Sequence, residues 1–362
     1  MMLMDRERLA ELNRLEITRL CHSGLDSRTL RREILQLLQV IVPFDYAYFS
    51  TTDPATHLGT SSVLAEEPPS WCMSVFLENE FLQQDFNQFS DMARRRQAVS
   101  ILSEAARSEL HRSHRFREML NPLAMEDELR AIFVTDDACW GTLCLHRGTA
   151  SYTPEEAAHL AQLTDTIADG LRKALLLSRV PLATTLDSPG LLILSDDLSV
   201  IAMTAPAQYW LSELSAMEKA DGGVLPVSVR SVVAGLKALE SGRLAVNVTP
   251  KVRLYMRSGH WLVLYASRLI SSASQTQVSV IFELAQPAEI APVIMQAYAL
   301  TRREGEITQC VVKGWSTTEI AARLHISPNT VQDHLKAIFE KVAVGSRGEL
   351  AARIFVQQHR SD

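Results

Sequence analysis

Four helix starts crowd into residues 301–349, and that density is the strongest constraint the chain places on its own fold. Thr301 with Glu304, Ser316 with Glu319, and Ser346 with Glu349 each set a hydroxyl three residues ahead of an acid. In such a box the hydroxyl takes the amide three residues on, and the acid returns to the amide of the capping residue. Ser327-Pro328 adds a fourth start, a capping serine followed by a proline whose fixed φ suits the first helical position. Gly314 and Gly345 stand where helices should end. One box is weak evidence. Four starts so close together require a small bundle of short helices.

The third of these helices is two-faced. Val331, Leu335, Ile338 and Val342 recur at steps of four, three and four, which makes one buried stripe. Asn329, Gln332, Asp333 and Lys336 fall on the other side. In the preceding helix Ala321 and Ala322 are small enough for two helices to cross closely, and Leu324-His325-Ile326-Ser327 is a tight connection. Two short helices joined in this way, the second with a free polar face, form the helix-turn-helix plan. Its second helix can enter a major groove about 12 Å wide. Lys336 can then donate to guanine O6 or N7, Gln332 can pair with adenine, and Asp333 can accept from cytosine N4. Asn329, Thr330 and the helix N-terminus suit a phosphate. Most polar helix faces are merely solvated; the turn, the caps and the spacing together favour a reader.

Net charge is −6, an odd sign for a chain that meets phosphates, but it is unevenly spread. Residues 297–362 hold nine Lys/Arg against seven acids, a balance of +2, which leaves −8 on residues 1–296. Only the last piece has the sign expected of a nucleic-acid partner. At 362 residues there is room for two or three domains with separate cores. No apolar run reaches the roughly 18 residues of a membrane span. The start MMLMDRERLAEL, charged from Asp5 to Arg8, argues against a secretory leader, so a cytoplasmic protein without membrane contact is expected. Five scattered cysteines without a C-x-x-C pair read as reduced thiols.

Ahead of the bundle the pattern alternates. Leu9, Leu12, Leu15 and Ile17 stripe a first helix and Leu30, Ile34, Leu37, Leu38 and Ile41 a second, over residues 5–41. Tyr46–Thr51 reads as a strand, residues 71–120 as irregular helix, and Leu129–Thr135 and Trp140–Arg147 as strands joined at Asp136-Asp137. Thr153-Pro154-Glu155-Glu156 opens a helix expected to run to about Arg179. These make an α+β domain over residues 1–180, and residues 181–189 read as a linker. A second α+β domain over 186–285 has a hairpin about Ser195-Asp196-Asp197, helices at 204–214 and 227–240, and strands at 244–249, 252–256, 261–270 and 278–284. Gln286-Pro287 and Ala291-Pro292 mark a hinge before the third domain, residues 290–362.

Residues 300–354 closely resemble the LuxR-type (NarL/FixJ-type) helix-turn-helix domain. The landmarks are L-T-x-R-E at 300–304, G-x-S-x-x-E-I-A at 314–321, I-S-x-x-T-V-x-x-H-L at 326–335 and S-R-x-E-L at 346–350. The resemblance implies that the third helix reads the groove and that the fourth, beginning at Ser346, pairs two subunits. It places base contacts on Gln332, Asp333 and Lys336, and backbone contacts on Ser327, Asn329, Thr330 and Lys341. Gln332-Asp333 departs from the basic residue often found there, and Ala343 from the usual glycine.

Of the front halves known in such regulators, a phosphoacceptor receiver and a P-loop ATPase lack their motifs here. FDYAYFS at 44–50 is loosely similar to an acyl-homoserine-lactone sensor, without the remainder of that pattern. Residues 1–180 look more like a GAF-type sensor, through FLENEFLQQDFNQFSDMARR, RFREML, EDELRAIF and WGTLCLHR. Residues 190–284 resemble a PAS-like domain through LLILSDDLSVIAMTAPAQYWL. The expected fold is therefore multidomain α+β, with GAF-like and PAS-like sensors followed by an all-α four-helix helix-turn-helix. The expected function is sequence-specific transcription regulation by a homodimer on double-stranded DNA. A small-molecule ligand in the sensors and RNA polymerase are further partners, with no cofactor and no enzymatic activity; the alternative is a signalling scaffold whose helices dock a protein. Other candidates read more simply. His111 and His114 lack a third metal ligand, Cys139, Cys144 and His146 read as strand residues, and Tyr48, Phe49, Phe133 and Trp140 as core aromatics that could also line a pocket.

Overall fold

The computed structural model describes residues 2–107, 109–177, 188–218, 225–243, 249–269 and 276–355. Two antiparallel sheets and a terminal helical bundle account for them. The first sheet comprises β1 (Tyr46–Thr52), β2 (Gly59–Leu64), β3 (Val99–Ile101), β4 (Asp127–Thr135) and β5 (Ala138–Arg147), ordered β2-β1-β5-β4-β3. The second comprises β6 (Gly190–Ser195), β7 (Val200–Met203), β8 (Lys251–Tyr255), β9 (Trp261–Leu269) and β10 (Gln277–Leu284), ordered β7-β6-β10-β9-β8. Counted within each sheet, the order is the same. The β4–β5 turn puts Asp136 and Asp137 both at positive φ, 51° and 61°, the twist that suits a two-residue hairpin.

Helices α1 (Met2–Cys21), α2 (Ser27–Ile41), α6 (Pro154–Ala161) and α7 (Thr164–Leu177) cover one face of the first sheet, where Ile17, Ile34 and Leu38 meet Phe49, Phe133 and Ile167. The expected capping box at Thr153–Glu156 is formed, but the helix it opens is two helices rather than one, and the region of Arg179 and most of 181–189 lie outside the described residues. Strand 244–249 lies there too, apart from Thr249. The α1 stripe is also corrected: Ile17 is buried, whereas Leu9, Leu12 and Leu15 are exposed at 48%, 56% and 60%. The helix rests on α2 and α7 through Ala10, Ile17 and Cys21, about half a turn away from the leucines.

The other face carries α3 (Trp71–Leu82), α4 (Phe89–Arg95) and α5 (Leu102–Ala106), with Phe76 packed on Tyr48 at 5.2 Å between ring centroids and Leu102 in the same cluster. Here the second sheet's helices join. Helix α9 (Val227–Glu240) is buried from Val227 through Leu236 and again at Ala238. Val229, Val232, Val233 and Leu236 enter the core of the second sheet with α8 (Ala205–Glu218), while Val227 and Ala234 pack with Tyr48 and Phe76 of the first. A Cβ added at Gly59 would lie 3.0 Å from Ser231 Oγ and from Val227 Cγ1, so a residue without a side chain lets the strand and helix approach. A buried ion pair also crosses between the sheets. Arg253 Nη1 donates to both Asp53 oxygens at 2.8 Å, and its backbone amide adds a third bond at 2.9 Å.

The expected hinge at 286–292 is a helix, α10 (Pro287–Ala297), opened by a capping box between Gln286 and Glu289. Proline at its first turn starts a helix rather than loosening the chain. Pro292 is carried within it, because Ile290, Val293 and Ile294 are buried against Trp261 and Val263 of β9 and against the bundle that follows. Among the described residues, no helix is long and apolar enough to cross a membrane.

Candidate nucleic-acid interface

Four helices complete the chain: α11 (Arg302–Val312), α12 (Thr317–Leu324), α13 (Pro328–Val342) and α14 (Arg347–Phe355). Their starts follow the sequence chemistry closely. The boxes at Thr301–Glu304 and Ser316–Glu319 are reciprocal. Ser346 Oγ accepts from the Glu349 amide at 3.1 Å, but the Glu349 carboxylate reaches one residue further, to the Gly345 amide at 2.7 Å. Ser327 caps α13 by accepting from the Thr330 amide at 3.0 Å. Each such cap is worth roughly 1 kcal/mol.

The connection between α12 and α13 is tight because His325 turns left-handed, at φ 53°, ψ 48°. Arg303 braces it by donating to the Leu324 carbonyl at 2.7 Å. Val331, Leu335, Ile338 and Val342 are buried, as their spacing requires. Ala321 is buried at the α12–α13 crossing, whereas Ala322 is exposed. Arg347 ties α14 back to the start of α12, donating to the Trp315 carbonyl at 3.0 Å and to Thr317 Oγ1 at 2.6 Å.

The polar face of α13 stays open. Asn329, Gln332, Asp333 and Lys336 are exposed, and no hydrogen bond or ion pair of their side chains is found among the described residues. Gln332 and Lys336 border a groove of about 610 Å³ that continues to Glu349 of α14. The three remaining candidates differ. Ser327 and Thr330 hydroxyls are 2.9 Å apart and serve each other and the cap. Pro328 lacks an amide proton, the Thr330 amide is capped, and the Val331 amide bonds the Ser327 carbonyl at 3.1 Å, so the Asn329 amide is the first-turn donor left for an anion. Lys341 is occupied: its ammonium lies 2.7 Å from Glu304 Oε2 and 3.1 Å from the Ala299 carbonyl. Burial pushes the Glu304 carboxyl up, but Lys341 and the Thr301 cap outweigh it and hold it below the usual carboxylate range. Sequence reasoning missed this brace and the Arg303 and Arg347 braces, because a side chain reaching a distant backbone carbonyl leaves no periodic trace.

The first sheet holds the other candidates. Phe49 and Phe133 are core, 5.1 Å between ring centroids. Tyr48 lines a cavity of about 990 Å³ between the first sheet, α3 and α9. His111 and His114 do not converge: His114 Nδ1 faces Arg117 at 3.0 Å and Glu118 at 3.6 Å. Among the described residues, Glu128, Cys144 and His146 bring three ligand atoms within 4.8 Å. Their carboxylate is already satisfied, by Arg115 Nε at 2.7 Å, Arg130 Nε at 3.0 Å and His146 Nε2 at 3.0 Å. Burial alone would raise the Glu128 carboxyl; the two guanidiniums hold it well below its ordinary range. Two fixed cations beside the carboxylate disfavour a third, so this is a buried ion network. Burial pushes the Cys139 and Cys144 thiols up, away from the reactive thiolate.

Residues 298–354 match the family described as bacterial regulatory proteins, luxR family. The chain is 39% identical over 64 residues to a probable transcriptional regulatory protein, SgaR, of Hyphomicrobium methylovorum, covering 18% of this chain and 30% of that one. It is 41% identical over 56 residues to the transcriptional regulatory protein UhpA of Escherichia coli (strain K12), covering 16% and 29%. The chain thus spans under a third of the length of these relatives, within the C-terminal bundle. Among solved structures, Escherichia coli SdiA matches with 14% identity and a TM-score of 0.32 over 97% of this chain and 99% of that one. The cyanobacteriochrome TePixJ GAF domain matches with 18% identity and a TM-score of 0.28 over 40% and 90%. The C-terminal bundle is therefore a helix-turn-helix domain of the luxR family.

Proposed function

From that premise, we propose that the chain is a sequence-specific DNA-binding transcription regulator whose front half controls a C-terminal reader. The observation that carries this reading is the polar face of α13, free of partners among the described residues, on a luxR-family bundle. Lys336, Gln332 and Asp333 read base edges, and Asn329 with its amide, Ser327 and Thr330 meet the backbone. Lys341 reaches phosphate only by leaving Glu304. Double-stranded DNA is the partner and a second copy pairs through α14; RNA polymerase is a further partner, and a cytoplasmic location goes with this work.

Residues 1–180 and 186–285 act as GAF-like and PAS-like sensors of a small-molecule ligand, and 290–362 as the reader. The shared strand order of the two sheets supports the first part. The continuous packing of α10 on β9 and on the bundle supports transmission through a rigid helix. A ligand shifts the population only by as much as it prefers one arrangement.

The test is selection of genomic DNA fragments by the full chain and by its Lys336→Ala variant. A reader loses discrimination at one base pair, worth about 1–3 kcal/mol. An unchanged preference would sink the assignment of Lys336. Absence of any preferred sequence, at low and physiological salt, would favour a bundle that docks a protein instead.

A further inference from the structure

A second cavity, of about 500 Å³, opens where both sheets and α10 meet. It takes residues from α2 and its cap, from β1, β2, β5 and α7, from the β8–β9 hairpin, and Val293 from α10. Its walls hold several buried polar atoms without a partner among the described residues. Ser27 Oγ, Trp140 Nε1, Arg253 Nε and Trp261 Nε1 are buried, lack a hydrogen-bond partner among the described residues, and belong to residues that line this one cavity. Trp140 and Trp261 are 3% and 2% exposed. An indole or guanidinium N–H cannot accept, so three of these four atoms call for an acceptor, while the Ser27 hydroxyl can take either role. A buried donor left without one pays the cost of leaving water with no bond in return.

The charge agrees. Arg28, Arg32 and Arg257 line the cavity too. Arg32 and Arg257 are exposed, and Arg257 makes no ion pair among the described residues. Burial, and then these two neighbouring cations, pull the Arg28 guanidinium below its usual range. The acid on the wall, Asp26, is spent on the Arg28 and Thr29 amides at 3.0 Å and on Thr29 Oγ1 at 2.6 Å. Leu171, Leu175 and Val293 supply apolar wall.

We propose that this junction binds a small organic anion: an apolar, acceptor-bearing body that the indoles and leucines enclose, with its acid group against Arg28, Arg32 and Arg257. The site rests on the regulatory reading above, because it joins both sensors to the helix leading into the reader. Occupancy bridges three parts of the chain at once and favours one arrangement of them.

The probe is 8-anilinonaphthalene-1-sulfonate, titrated into the full chain beside the uncharged N-phenyl-1-naphthylamine of the same ring system. One saturable sulfonate site per chain is expected, at least about tenfold tighter than the neutral probe. The double variant Arg32→Gln/Arg257→Gln changes exposed residues and should keep the melting temperature while weakening the sulfonate about tenfold or more. Arg95→Gln/Arg302→Gln, with the same loss of charge elsewhere, should change nothing. Trp140→Phe, which keeps an aromatic side chain but removes the indole N–H, should weaken it as well. Equal affinity for the two probes, or a sulfonate affinity indifferent to Arg32→Gln/Arg257→Gln and to Trp140→Phe, overturns the site. Gel shift on the selected DNA, run in parallel, separates the two claims. A chain that shifts DNA but ignores the sulfonate sinks the site and spares the reader; one that takes the sulfonate in the manner expected but no DNA supports the site and sinks the reader.

Discussion

The Asp53–Arg253 pair offers a sharp test of how the two sheets are joined. Asp53 is buried, and its carboxylate accepts from Arg253 Nη1 with both oxygens, from the Arg253 amide and from the Ala55 amide at 2.9 Å. Asp53→Asn keeps the shape but removes the charge, and sets an NH₂ among donors. The Arg253 guanidinium, whose Nε already lacks a partner, is then an uncompensated buried cation. Breaking such a pair from one side costs about 3–5 kcal/mol. With a urea slope of about 1–3 kcal/mol per M, the midpoint should fall by on the order of 1 M or more. Tryptophan fluorescence of the full chain in urea reads it directly. Asp196→Asn is the control: Asp196 pairs with Arg268 but its side chain is 53% exposed, so its loss should cost no more than about 1 kcal/mol. Replacing both partners, Asp53→Leu with Arg253→Met, should recover most of the loss, since an apolar pair leaves no stranded charge. If Asp53→Asn costs no more than Asp196→Asn, the pair is solvated and the close packing of the two sheets is wrong.

Other outcomes follow from single groups. Ala343 ends α13 at φ 53°, ψ 55°, so Ala343→Gly should raise bundle stability by roughly 0.5–1 kcal/mol, read as a higher melting temperature. Lys341→Ala should lower bundle stability and leave base preference intact, the reverse of Lys336→Ala in the selection assay. Because the Glu304 carboxyl sits below its unfolded range, its contribution is present above that range and is lost as pH falls through the lowered folded value; Lys341→Ala should flatten that loss in acid titrations of melting temperature. Burial pushes Glu218 the other way, up to about 7, so its contribution is full below the ordinary carboxylate range and disappears as pH rises toward 7; Glu218→Gln should remove that slope. All five thiols are buried, so iodoacetamide at neutral pH should label the native chain far more slowly than the chain in denaturant.

How much was legible depended on the range of the interaction that decides each element. Caps act over three residues, and the bundle was therefore readable to within a residue or two, including the half-formed box at Ser346. The β4–β5 hairpin was equally local. Strand β2, GTSSVL, was missed because its buried positions begin with the polar Thr60 and Ser62, so no apolar alternation marks its inward face. The α1 leucines misled for the opposite reason: their spacing is helical, but the neighbours that choose which face to bury come from residues 27–41 and 164–177. Prolines 287 and 292 suggested a break, and buried apolar neighbours on β9 overruled them. Of the junction cavity only Trp140 was legible, as an aromatic that could line a pocket; the other donors lie between Ser27 and Trp261 and share no motif.

Helix α9 belongs to the second sheet by chain order and to both sheets by contact. A piece cut before it would strip the first sheet of one wall, and a piece cut to contain it would expose Val227, Arg230, Ser231 and Ala234 to water. Exchange of the front half between regulators therefore has to carry residues 1–284 as one block and keep a matching α10, whose apolar face is shared between β9 and the bundle. Recombination that respects these packing boundaries would leave the reader common to many regulators and the two sheets inherited together.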